Sequence, residues 1–258
     1  MSHASALSSR SYRDIAIVLR TQQLGEADRI IIALTQQHGV VHAVARGVRR
    51  SSSKIGARLE PFMVVDLSLV KGKNLDTVSQ VVTRKAYTAA IMGDYDAFTV
   101  ACVLSELTEA LTTYDIEQQV AFFNVLAGAL SSLAQASHHP LDVLNAFALR
   151  TMALAGWSIV LDACSVCGAA ESANYFSPEY GFVDAGCAAS LADRFYPLSD
   201  AVKLYIRAVF QGRWEHVDTL TEHTVRSRSL YLVSLYVRWH LEKPVKTLDA
   251  LVKDTNAR

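Results

Sequence analysis

Four cysteines in 258 residues are too few for a disulfide framework, and five prolines with 12 glycines are too few for a collagenous or low-complexity chain. A reduced compartment is the expected setting. Long apolar runs are missing too: the longest stretch, from Val120 onward, is cut by Asn124, Ser131 and Ser132, well short of the roughly 18 residues a membrane span requires. No contact with a membrane is expected. Residues 1–13 lack the apolar segment of an export signal, which points to a cytoplasmic location. Several catalytic and nucleotide-binding signatures are also absent, among them GxxxxGK[ST], GxSxG, HExxH and GxGxxG. His240 and Glu242 match the H-x-E of nucleobase deaminases only formally, because they follow the cysteines where that signature precedes them. The Glu26 and Asp28 carboxylates read as turn and cap residues, and no catalytic residue is assigned.

What the chain does contain is apolar residues, at 51%, enough for a large core. Its net charge of zero conceals a division, because residues 1–85 carry 13 Lys/Arg against 6 Asp/Glu and the remainder 12 against 19. Residues 86–149 contain seven acids and no Lys or Arg. A polyanion is attracted to the first part and repelled by that span, which is expected to supply protein contacts or core.

Alternating and β-branched runs at 14–20, 30–34, 40–45, 62–70 and 75–83 read as five strands separated by turn residues. Five short strands with no room for crossover helices suit a small Greek-key barrel, of which the OB-fold is the five-stranded type. An SH3-like barrel has the same periodicity and stays open. After about Lys85 the period becomes helical, with Phe98, Cys102, Leu104, Leu107 and Leu111 on one stripe and Cys102 read as core. Residues 115–118 look like a capping box opening a helix over 120–136. Pro140 starts the next helix and Gly156 stops it. Ser199 caps 201–210, and 226–241 reads as the last long helix, ended by Pro244. The expected fold is α+β and multidomain: an N-terminal OB-fold barrel over 11–85, then a helical domain over 86–258 with a cysteine knuckle inserted at about 160–195.

Two constellations carry chemistry. Between the third and fourth strands, Arg46, Arg49, Arg50, Lys54 and Arg58 stand among three serines and two glycines with no acid. Arginine forks and hydroxyls suit phosphate oxygens, whereas a solvated loop is the bland reading. Lys71 and Lys73, in another barrel turn, are candidate support. Tyr12 and Phe62 are the only aromatics in the basic region, so binding should be directed at the backbone and weakly sequence-selective. The second constellation is Cys164-x2-Cys167 followed by Cys187-x2-Ser190, the spacing of a four-thiolate zinc site with serine as its last member. Serine is a poor zinc ligand, so closure requires water or a carboxylate such as Asp184 or Asp193. The reading favours a metal-free remnant, with bound zinc as the alternative.

The order of these parts resembles the bacterial DNA repair and recombination mediator family RecO. The resemblance rests on residues 25–29, Thr35 with Gly39, residues 45–50, residues 59–62, Glu106 and Leu107, the helix from Phe147 to Gly156, Cys164, Cys167, Phe176, Gly181 and Cys187. It covers the chain from about Arg13 to the helices after Leu198. Ser190 departs from it, since many zinc-bearing members have a fourth cysteine there. The resemblance implies an OB-fold, a helical domain with a cysteine knuckle, and binding of single- and double-stranded DNA. It further implies annealing of complementary strands, partnership with RecR, contact with single-strand-binding protein and help in loading RecA at gaps. The runner-up is an RNA-binding OB module acting in translation or ribosome assembly, which would prefer 2′-hydroxyl contacts.

Overall fold

Strand β1 (Ser11–Leu24) is long enough to serve two partners, pairing antiparallel with β2 (Asp28–Thr35) along its second half and with β4 (Met63–Val70) along its first. The computed structural model describes residues 11–50, 53, 55–112, 119–170, 173–219 and 222–257. Strand β3 (Gly39–Ala45) pairs with β2, and β5 (Asp76–Ala86) pairs with β4. A short parallel contact, Ala43 with Asp76 and Val44 with Thr77, closes the barrel in the order β1-β2-β3-β5-β4. That order and its parallel closure are those of the OB-fold, and they separate it from the SH3-like alternative. The barrel core is Ala16, Val18, Ile31, Ala33, Ala43, Val65, Leu67 and Leu69, with Val48 and Leu59 from the connection after β3 closing one end.

Irregularities in the strands have identifiable uses. The β1 register shifts between Val18 and Arg20, a bulge that lets one strand bend around two neighbours. Residues on both sides of β1, from Ala16 to Leu19, are buried. Phe62 sits at φ 70°, a region where non-glycine residues are strained; its N–H bonds Val18 O at 2.8 Å and its ring meets Phe98 edge-on. Thr35 Oγ1 donates to Gly39 O and accepts from His38 N, fixing the β2–β3 turn that Gly39 enters at φ 68°.

Compact packing divides the chain into two units, Met1–Ala101 with Glu117–Gln135, and Cys102–Ile116 with Ala136–Arg258. The first holds the barrel, helix α1 (Thr88–Met92), the start of α2 (Tyr95–Leu111) and α3 (Gln119–Ala134). The capping box expected at 115–118 lies outside the described residues. Cys102 is only half-buried, unlike its neighbours Ala101 and Val103, so it edges the stripe instead of filling the core.

In the second unit α4 (Pro140–Leu154) is buried along most of its length, with Pro140 at its first turn and Gly156, at φ 95°, just past its end. Its Asp142 is fully buried and held by Arg226 Nε at 2.8 Å and the Tyr205 hydroxyl at 2.5 Å. These partners come from α6 (Asp200–Gln211) and α8 (His223–Leu241), with the short α7 (Trp214–Thr219) between them. Ser199 Oγ caps α6 as expected. The helix expected over 226–241 is not the last: α9 (Lys246–Ala257) follows Pro244. Leu248, Leu251, Val252 and Thr255 give it a buried stripe at helical spacing, and Glu106 accepts from Lys246 N and Thr247 N at its first turn. The acceptor of that cap, Glu106, lies far away in sequence, which hides the helix start. A three-stranded sheet, β7 (Gly181–Asp184), β6 (Ala173–Ser177) and β8 (Tyr196–Pro197), with the one-and-a-half-turn α5 (Ala185–Ser190), forms the knuckle. No described helix is long and apolar enough to cross a membrane.

Candidate functional site: a cationic barrel loop and a cysteine cluster

The connection after β3 begins as a fixed turn. Gly47, at φ 67°, donates its N–H to Asp28 Oδ1 at 2.7 Å, and Arg49 N donates to Ala27 O at 2.9 Å. Asp28 is therefore a turn residue. Val48 is buried, so the cations on either side of it face outward. Arg46 and Arg50 are exposed and pair with no carboxylate among the described residues. Arg49 is exposed too, but its Nη1 donates to the carbonyls of Gly25 at 3.2 Å and Glu26 at 3.0 Å, which ties the loop to the β1–β2 turn. Arg58, on the 3-10 turn Gly56–Leu59, donates to Val81 O at 3.2 Å. That carbonyl lies beyond the two-residue β3–β5 contact, where the barrel seam lacks a strand partner. Lys54 lies outside the described residues.

Lys71 and Lys73 do not join this group. They form the β4–β5 turn, beside the start of β1 (Ser11 pairs with Val70) and the β2–β3 turn. The arginine loop leaves the opposite end, where Arg29 pairs with Ala45. Alternate strands run in opposite directions, so turns separated by one strand fall at opposite ends. The six residue steps of β3 put its own two ends about 20 Å apart. Two other cations of the basic region share one carboxylate: Arg13 at 2.5 Å and Arg84 at 3.0 Å both bind Asp66. Arg13 first, then Arg84, holds the Asp66 carboxyl down at about 2 against the cost of its burial.

The cysteines come together. One atom each from Cys164, Cys167, Asp184 and Cys187 lies within 4.8 Å of the others. The turn carrying the first two is closed by Cys164 N to Ala169 O and Gly168 N to Cys164 O, both 2.9 Å, with Gly168 at φ 76°. Asp184 ends β7 and caps α5, its Oδ1 accepting from Cys187 N at 2.8 Å while Cys167 Sγ donates to Oδ2 at 2.9 Å. Ser190 Oγ donates to Cys187 O, and Asp193 is bonded by the Ser177 hydroxyl. Of the two carboxylates the sequence offered, Asp184 is thus the one at the thiols. The fourth donor comes from three residues before Cys187, where spacing rules do not look.

The electrostatics fit a cation. The Asp184 bond pushes the Cys167 thiol up, and burial with neighbouring thiols pushes Cys187 to about 12. Cys164 moves down: burial opposes its charge, but the backbone N–H groups of Cys167, Asp184 and Val166 outweigh that. Three adjacent thiols and a carboxylate cannot all be anionic without a positive centre. Zn–S bonds of about 2.3 Å set neighbouring tetrahedral ligands roughly 3.7 Å apart, a spacing that fits inside the 4.8 Å within which these four atoms lie. His240 instead packs on Trp157 and Tyr236, and the cluster includes no histidine.

Fold and site together define an α+β protein built on an OB-fold barrel, followed by a helical unit with a cysteine knuckle. The chain belongs to the Recombination protein O family: its residues 9–87 match the family's N-terminal model and 92–249 the C-terminal one. It is 41% identical over 246 residues to the DNA repair protein RecO of Bifidobacterium animalis subsp. lactis (strain AD011), covering 93% of this chain and 98% of the relative. The protein of the same name from Thermobifida fusca (strain YX) is 40% identical over 240 residues, covering 92% and 96%. That from Cutibacterium acnes is 39% identical over 246 residues, covering 93% and 98%.

Proposed function

We propose that this protein is a non-enzymatic DNA repair and recombination mediator of the RecF pathway, acting in the cytoplasm at the nucleoid. Residues 11–85 bind single- and double-stranded DNA, and 86–258, with the insertion at about 160–195, carry the protein contacts. The observation that carries the reading is the loop of Arg46, Arg49 and Arg50, which the Gly47 turn on Asp28 and the burial of Val48 present outward, with none of the three in an ion pair among the described residues. Guanidinium groups held this way neutralise phosphates on two strands at once, lowering the repulsion between them so that complementary bases pair without nucleotide hydrolysis. RecR is the partner in loading RecA onto gaps.

Contact with the acidic tail of single-strand-binding protein falls near Lys203, Arg207 and Arg228; the first two line a cleft of about 340 Å³ with Leu161, Phe182 and Leu204, where the tail would compete with their ion pairs to Asp200 and Asp162. Arg226, on the same helix as Arg228, is buried against Asp142 and takes no part. Zinc held by Cys164, Cys167, Asp184 and Cys187 clamps the knuckle, a structural role that contributes folding free energy.

The test is annealing of complementary oligonucleotides with and without ATP, with RNA competitors. ATP-independent annealing supports the mediator. A marked RNA preference would replace it with the translation-type module.

A further inference from the structure

At the barrel end opposite the arginine loop, a groove of about 880 Å³ is lined by Tyr12, His38, Val41, Lys71 and Lys73 among others. The Tyr12 and His38 rings lie 4.7 Å apart, tilted by 46°. Both are held from below: the Tyr12 hydroxyl donates to Asp76, and His38 Nδ1 lies 2.6 Å from Asp14 Oδ2. The two carboxylates are further occupied by backbone donors, Asp14 by Ile15 N and Gln37 N, Asp76 by Gly72 N. Lys71 and Lys73 are exposed and pair with no carboxylate among the described residues. Gly72 between them is required, since a Cβ there would stand 1.9 Å from Leu75 O, so the turn holds the two lysines at a fixed spacing.

We infer that this groove is a second DNA contact, selective for single strands, in which an unpaired base stacks on the Tyr12–His38 pair and its flanking phosphates meet Lys71 and Lys73. The inference rests on the reading of the barrel as a DNA-binding module and divides the work within it. The arginine loop offers cations without rings, and phosphates are common to single and double strands. The groove offers rings with cations, and only an unpaired base has a free face to stack. The loop therefore binds both forms, whereas the groove discriminates between them.

The test uses the full chain with oligothymidylate and a duplex of equal length, titrated at several salt concentrations. Tyr12→Leu should weaken oligothymidylate about tenfold and leave the duplex within about twofold, while Tyr12→Phe, which keeps the ring, binds as the parent does. Lys71→Ala with Lys73→Ala should reduce the single-strand salt slope by about 1.4 and leave the duplex slope unchanged. Should Tyr12→Leu fail to fold by circular dichroism, photocrosslinking of the unmodified chain to an iodouracil oligonucleotide decides, with the crosslink expected on Tyr12 or His38. Equal losses for both DNA forms, or no loss and no such crosslink while Arg46→Ala with Arg50→Ala still weakens both, would overturn the groove and leave the loop standing. A parent chain that binds neither form would sink the DNA reading itself.

Discussion

Replacing Arg46 and Arg50 together by alanine separates a phosphate-binding loop from an ordinary solvated one. Both side chains are exposed and make no ion pair among the described residues, so their removal should leave the fold intact. Each single-strand phosphate neutralised contributes about 0.7 to the slope of log K against log salt, so losing two contacts lowers the slope by about 1.4. Over a fourfold rise in salt the parent should then lose about sevenfold more affinity than the variant. For a duplex, at about 0.9 per phosphate, the change is about 1.8. Adding Arg49→Ala brings the single-strand change to about 2, but Arg49 also ties the loop to the Gly25 and Glu26 carbonyls, so part of its effect is lost positioning. Fluorescence anisotropy with two unrelated oligonucleotides reads both quantities. Slopes that coincide for parent and variant would refute the reasoning, and a loss confined to one sequence would show base readout in place of phosphate contact.

Zinc should co-purify at about one ion per chain and be lost in Asp184→Ala, while Ser190→Ala keeps it, as elemental analysis will show. A Ser190→Ala variant without metal would return the fourth position to the serine. Asp142→Ala should destabilise by about 3–5 kcal/mol in denaturant unfolding, because the buried Arg226 loses its Asp142 carboxylate. The Asp66 carboxyl, held down at about 2 by Arg13 and Arg84, contributes stability that is complete above the ordinary carboxylate range and is lost as pH falls from about 4 towards 2. Asp66→Asn should remove that part of the acid dependence in a pH series of thermal unfolding. Arg58→Ala should lower stability with little change in salt slope, since its guanidinium closes the barrel seam at Val81 O.

Much of this was legible along the chain because it depends on neighbours in sequence. Alternation marked the five strands, Pro140, Gly156 and Ser199 marked helix ends, and the Cys164 and Cys167 pair marked a knuckle, since turns, caps and periodicity act over a few residues. The acid-free run at 46–58 was visible as charge alone. Tertiary structure decided whatever needed distant segments to meet. Strand order and the parallel Ala43–Asp76 closure chose the OB-fold, because periodicity specifies strands and not their edges. It separated Lys71 and Lys73 from the arginines and set them beside Tyr12 and His38, a consequence of which strands run up and which down. Arg226 is drawn inward by Asp142, 84 residues away, a pairing that no local pattern announces. Asp184, conspicuous in no spacing rule, became the fourth member of the cysteine cluster because a strand end and a helix cap coincide there. A charge is recorded in sequence, but its partner, and so whether it is free to bind anything, is fixed by the packing that brings distant side chains within a few ångströms.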